Sequence, residues 1–188
     1  MPLHLFYMKL NGHGKSSILS FEEKQELHKH LPMKYQVLFD IMWFSGCRLS
    51  EALQIRWCDI AEKTIVFRKS TTKGKMDTRE VPVPQELINK IIKLPNEGAF
   101  IFSGRNGEGH LTRFTADKAF RSACSKVGFI GYSTHSYRRT MVSTLSANRI
   151  PIKVIMKISG HRSMTSISHY IDINEEQVLS ALQTRWYI

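Results

Sequence analysis

KTIVFRKSTTKGKMDTREVPV, residues 63–83, is the stretch that decides the fold class. Thr64-Ile65-Val66-Phe67-Arg68 is β-branched and aromatic, the composition that fits a pleated, half-buried surface. Arg79-Glu80-Val81-Pro82-Val83 reads the same way, and the charged segment around Gly74 joins the two. The reading predicts a small antiparallel sheet with a connection that moves. On both sides of it the spacing is helical. Upstream, Ser20-Phe21-Glu22-Glu23 has the form of a capping box opening a helix to about Leu31. Pro32 can start the next helix, whose apolar residues Val37, Leu38, Ile41, Met42 and Phe44 recur until Gly46. A short helix is expected from Ser50. Downstream, helical spacing covers 86–94 and, after the glycines between 104 and 109, 115–127, with Gly128 as the stop. Thr134 is placed to cap a helix to about Asn148. Another runs from Pro151 to Ile158 and closes near Gly160. Ser163 can cap one that reaches Tyr170, and 174–186 forms a tail helix with Val178, Leu179, Leu182 and Trp186 on one face. The expected fold is mainly α with a small antiparallel β-sheet, an α+β arrangement.

Length and composition bound the rest. A chain of 188 residues, 42% of them hydrophobic, suits one domain with a real core. The expected organisation is a flexible lead-in at 1–17, one domain at 18–173 and the tail helix at 174–188. No run approaches the ~20 apolar residues of a membrane span. The mildly apolar first ten residues lead into Asn11-Gly12-His13-Gly14 without a small-residue cleavage site, and read as a tail, not a signal peptide. Lys and Arg outnumber Asp and Glu by 27 to 16, a net charge of +11. Such an excess attracts polyanions; a merely solubilising surface is the alternative. The three cysteines, Cys47, Cys58 and Cys124, form no Cys-x-x-Cys pair. This opposes a disulfide framework or structural zinc and suits a reducing cytoplasm.

Several side chains have chemistry to offer. His135 and Arg138 are three apart on the 134–148 helix, hence on one face, and in its first turn. A cation there opposes the helix dipole, so Arg138 needs a negative partner, either a phosphate or a carboxylate. Arg48 lies in the tight connection between Gly46 and the next helix. Its planar guanidinium suits two phosphate oxygens, while a surface pair with Glu51 is the plainer alternative. Lys73 and Lys75, on the predicted β connection, can reach a groove and protonate an alkoxide leaving group, although most charged hairpin loops do neither. Tyr170 is a nucleophile only if a base takes its phenolic proton and cations surround its target; otherwise it is a packing tyrosine. The spacing of His135, His161 and His169 matches no zinc pattern, so neither a metal nor another cofactor is expected.

SGCRLSEALQIRWCDI (45–60), STHSYRRTMVSTL (133–145) and ISGHRSMTSISHYI (158–171) together resemble the motifs of the tyrosine recombinase (phage integrase) family, catalytic domain. The order Arg, Lys, His-x-x-Arg, His, Tyr runs from residue 48 to residue 170, and the similarity spans roughly residues 18–180.

The resemblance implies a catalytic set of Arg48, Lys73, His135, Arg138, His161 and Tyr170, with Lys75 able to substitute for Lys73 and Glu51 bracing the site. It also implies that Tyr170 attacks a DNA phosphodiester to form a 3′-phosphotyrosyl link. That bond conserves the phosphodiester's energy, so neither ATP nor metal is required. By the same resemblance the arginines grip the nonbridging oxygens, His135 aids proton transfer, His161 bonds the phosphate and the lysine protonates the leaving 5′-oxygen. The implied activity is site-specific recombination of the integration or excision type. Double-stranded DNA is the implied partner, with self-association to a tetramer on it and accessory DNA-bending proteins, in the cytoplasm. Full members carry a further N-terminal DNA-binding domain, so the chain is expected to be an excised piece or a short member. A type IB topoisomerase-like relaxer and a non-cleaving DNA-binding regulator of the same fold are the alternatives.

Overall fold

The computed structural model describes residues 15–71, 78–171 and 175–183. Ser20 opens α1 (Phe21–Lys29) through reciprocal bonds: Glu23 N–H donates to Ser20 Oγ at 3.1 Å, and Ser20 N–H donates to Glu23 Oε2 at 2.7 Å. α2 (Met33–Ser45) follows Pro32 and stops at Gly46, whose φ of +58° is a conformation that glycine adopts without a Cβ penalty. Every residue from Val37 to Met42 is buried, so the middle of α2 runs through the interior with no wet face. Asp40, the charged residue among them, pairs with Lys24 of α1 and with Lys90 of α4 (Gln85–Ile92).

α6 (His135–Ala147) packs along α2. The fully buried Tyr137 ring stacks on Phe39 at 5.2 Å and meets Phe120 of α5 (Arg113–Lys126) at 5.9 Å. One turn further on, Met141 and Val142 belong to a second, smaller core with Ile155 of α7 (Ile152–Ser159) and Ile167 of α8 (Met164–Ser168). α6 therefore spans the seam between two apolar clusters. Arg138 sits on that seam.

The sheet is antiparallel in the order β1 (Ile60–Ala61), β2 (Thr64–Phe67), β3 (Arg79–Pro82), with Ile65 opposite Val81 and Phe67 opposite Arg79. β1 was not expected, because two residues are too short to show alternation. β3 packs against α7.

Several local expectations differ from the structure, among them the start of α5, which is capped by Thr112 and begins at Arg113, not Thr115. α3 (Leu49–Leu53) starts with Arg48, not Ser50, at the cap: the Glu51 carboxylate accepts the Arg48 backbone N–H at 3.1 Å, so no serine is needed. Thr134 holds the cap position of α6 but already has helical angles, and its side chain caps nothing; Ser133 N–H instead donates to Ser136 Oγ at 3.2 Å. α8 ends at Ser168, two residues short of Tyr170. At the ends, residues 15–17 were grouped with the lead-in, yet Ser17 N–H donates to Gly131 O at 2.9 Å and Arg139 donates to Ser16 O at 2.6 Å. The tail helix is α9 (Glu175–Gln183), and Trp186 lies outside the described residues.

Candidate active site

Arg138 is a buried cation, 1% exposed. Its Nη1 donates to two carbonyls, Gly46 O and Ser159 O. Gly46 caps the C-terminus of α2 and Ser159 is the last residue of α7, so both carbonyls belong to helix ends whose backbone acceptors lack helical partners. These are the negative ends of the two helix dipoles. The partner that Arg138 demanded is thus neither a carboxylate nor, so far, a phosphate. Two helix ends brought together by the fold hold one nitrogen and leave Nη2 buried with no hydrogen-bond partner among the described residues. Burial first, then the charge of Arg48, lowers the Arg138 pKa to about 10, while Glu51 and then Tyr170 act in the opposite sense. At neutral pH it stays a cation.

Arg48 stands at the mouth, its side chain 30% exposed, with Nη1 donating to Glu51 Oε1 at 3.0 Å. Glu51 is not a surface residue: it is 1% exposed and its other oxygen, Oε2, accepts from Arg79 Nη2 at 3.1 Å. Burial would raise the Glu51 carboxyl, but Arg79 foremost, with the Arg48 backbone N–H and the Arg48 charge, holds it below the usual carboxylate range.

His161 follows Gly160, which ends α7 at φ +70°. The Ser159 hydroxyl donates to the Ile155 carbonyl at 2.7 Å; having one proton, it accepts from His161, whose Nδ1 lies at 2.6 Å. The neutral ring therefore carries its proton on Nδ1 and leaves Nε2 as an acceptor. Burial, then Arg138, Arg48 and Arg79, push its pKa down to about 3, so it is neutral at physiological pH. The Tyr170 ring lies 5.2 Å from the His161 ring, centroid to centroid, and its backbone carbonyl accepts from Ser143 Oγ of α6 at 2.7 Å. Tyr170 is thus tied to α6 through its backbone, and its ring lies beside His161.

His135 lies at the surface. It is the exposed first residue of α6, whereas Ser136 through Val142 are buried, so the shared helical face runs from the surface at His135 into the interior at Arg138. Lys73 and Lys75 lie outside the described residues. Thr78 and Arg79, where their connection rejoins β3, line a cleft of about 1020 Å³ together with Arg48, His161, Lys153 and Lys157. Among the described residues no group of three or more His, Cys, Asp or Glu side chains is arranged to hold a metal ion. None of their helices is long and apolar enough to cross a membrane.

Two contributors went unread in the sequence. Ser159 orients His161 with its hydroxyl and Arg138 with its carbonyl; a small polar residue before Gly-His carries no distinctive signal. Arg79 carried one: in a strand of period two it shares the phase of buried Val81, and an inward-facing cation must have a partner.

A family model described as the phage integrase family matches residues 10–177. The chain belongs to that family. A tyrosine recombinase of Thermosipho africanus is 25% identical over 172 residues, covering 89% of this chain and 58% of that protein. A putative integrase/recombinase of Sinorhizobium fredii is 27% identical over 169 residues, covering 86% of this chain and 54% of its own length. The integrase-family chain thus spans somewhat over half the length of these relatives. The crystal structure of XerA recombinase superposes with a TM-score of 0.72 at 17% identity, over 91% of this chain and 66% of that one. A post-cleavage complex of XerH site-specific recombinase with palindromic difH substrate gives 0.70 at 20% identity, over 92% and 54%. These likenesses establish the fold: mainly helical, with a small antiparallel sheet.

Proposed function

We propose that this integrase-family chain is the catalytic domain of a site-specific DNA recombinase of the integration or excision type. It cuts and rejoins strands through a 3′-phosphotyrosyl intermediate, without metal or ATP. The observation that carries the reading is the spare, buried Nη2 of Arg138, held rigid by two helix ends in a site that also contains Arg48, Arg79, His161 and Tyr170. A buried donor without a partner costs stability, and a phosphate oxygen is the acceptor it suits.

Three guanidiniums face one carboxylate, Glu51. The formal charge of the group is +2, closer to the dianionic pentacoordinate phosphorane than to the monoanionic phosphodiester, which is how an electrostatic site favours a transition state. Tyr170 Oη bonds to phosphorus as the bond to the 5′-oxygen breaks. A proton from Lys73, or from Lys75, goes to that oxygen and frees a 5′-hydroxyl. The phenolic proton goes to a nearby acceptor. His161 Nε2 is suited to it, since phosphate charge offsets the arginines that keep the ring from protonating; as an imidazolium it then donates to the phosphate. His135, at the exposed start of α6, assists proton transfer from the DNA side. Rejoining reverses the steps with a 5′-hydroxyl from a partner strand.

Double-stranded DNA is the partner, bound in the cytoplasm. The exposed Val178, Leu179 and Leu182 of α9 supply an apolar surface for self-association to a tetramer on DNA, aided by DNA-bending proteins. The test is a suicide substrate carrying the cognate site. Wild-type protein forms an SDS-stable adduct, and Tyr170→Phe abolishes it while DNA affinity stays within about twofold. No adduct from folded, DNA-bound wild type defeats the proposal, and plasmid relaxation without exchange between sites reassigns the chain as a topoisomerase-like enzyme.

A further inference from the structure

Arg79 does more than balance charge. Its side chain is 10% exposed and it donates to Glu51 from β3, while Arg48 holds the same carboxylate from the cap of α3. Its guanidinium carbon lies 4.3 Å from the centroid of the Phe67 ring, directly across the strand pair. That aromatic face desolvates the cation and fixes its plane. On the far side it reaches the Gly160 turn so closely that a Cβ on Gly160 would overlap its Nη1. Its Nε is buried and has no hydrogen-bond partner among the described residues, so Glu51 does not saturate it.

Resting on the reading of this site as one for a DNA phosphodiester, we propose that Arg79 is a positioning residue that couples the β hairpin to the phosphate site through Glu51 and the Gly160–His161 turn. One guanidinium touches β2, the start of α3 and the end of α7. It thereby sets the distance between the strand that leaves the lysine-bearing connection and the groups around the scissile phosphate. If β3 shifts, Glu51 shifts, and Arg48 moves with it. An ammonium in place of the guanidinium keeps the charge but cannot lie flat on Phe67, donate to Glu51 and approach Gly160 together.

The experiment measures the single-turnover rate of Tyr170 adduct formation on a suicide substrate, against pH, for wild type, Arg79→Lys and Arg79→Gln. DNA affinity and thermal melting are recorded alongside. The groups that face His161 are Arg138 from α6, Arg48 from the α3 cap, Arg79 from β3 and the Tyr170 phenol. Loss of one of those cations moves the acidic limb of the pH profile upward. The expected order is wild type, then Arg79→Lys about tenfold slower, then Arg79→Gln about a hundredfold slower, with DNA dissociation constants within about fivefold. The acidic limb moves up for Gln and stays for Lys. Wild-type rates in both variants, or a lower melting temperature with an unchanged rate per folded molecule, overturn the proposal. If Arg79→Gln does not fold, Arg79→Lys decides alone, and failure of both to fold assigns Arg79 to the fold and overturns it too. Absence of any adduct from wild type refutes the functional reading instead, so the two failures are distinct.

Discussion

Replacing Arg138 with lysine separates holding the charge from aiming it. In the wild-type site Nη1 is occupied by the carbonyls that end α2 and α7, and Nη2 is the nitrogen left over. A lysine brings one nitrogen with three protons. Those two carbonyls are strong acceptors at the negative ends of helices, and they draw the ammonium to where Nη1 now stands. The position of Nη2 is then empty, and a phosphate oxygen loses one preorganised donor. Removing one such donor from an oxyanion-type site costs about 10²–10³ in rate, or about 2.7–4 kcal/mol. Stability should change little, because the charge and both carbonyl bonds persist, so melting should report a loss below about 1 kcal/mol. Rapid-quench measurement of adduct formation on a suicide substrate reads the rate, and a denaturant titration reads the stability. A lysine variant that cleaves at the wild-type rate would show that Nη2 donates nothing to the transition state.

The remaining predictions concern protons and salt. The folded His161 pKa is about 3 and its ordinary value is 6.5, so between those limits the unfolded chain binds a proton that the folded chain refuses. Stability is therefore unaffected above pH 6.5 and falls as pH drops through that window, by at most about 1.4 kcal/mol per unit from this residue. His28, lowered to about 4 chiefly by burial, adds to the same acid loss. His161→Gln should flatten the acid side of a melting-versus-pH curve, and an unaltered slope would show that the ring does not resist protonation. Lys153 and Lys157 are four apart on α7 and line the cleft that Arg48 and His161 open into. Changing either to alanine should reduce the slope of log affinity against log salt by about 0.9, the increment for one phosphate contact. An unchanged slope in fluorescence-anisotropy titrations would place the DNA backbone elsewhere.

Local chemistry wrote much of this protein directly into its sequence. The Ser20–Glu23 box and the Pro32-to-Gly46 span form as read, and the β-branched arms read at 64–68 and 79–83 form strands over 64–67 and 79–82, because each signal acts within a few residues of itself. The family motifs made the candidate side chains legible as well, as types in an order. What those side chains do to one another was not legible. Arg138 finds its partners at the ends of α2 and α7, 92 and 21 residues away in the chain, and no periodicity encodes that meeting. Glu51 looks like a surface acid beside Arg48 until a strand 28 residues away supplies Arg79 and buries it. The tautomer of His161 depends on where the single hydroxyl proton of Ser159 goes, which the turn of α7 settles. Sequence alone thus determined the main helices, the two longer strands and which chemical groups the chain carries. Tertiary structure alone decided burial, and burial sets how strongly those charges act on each other and which donor remains free for a ligand.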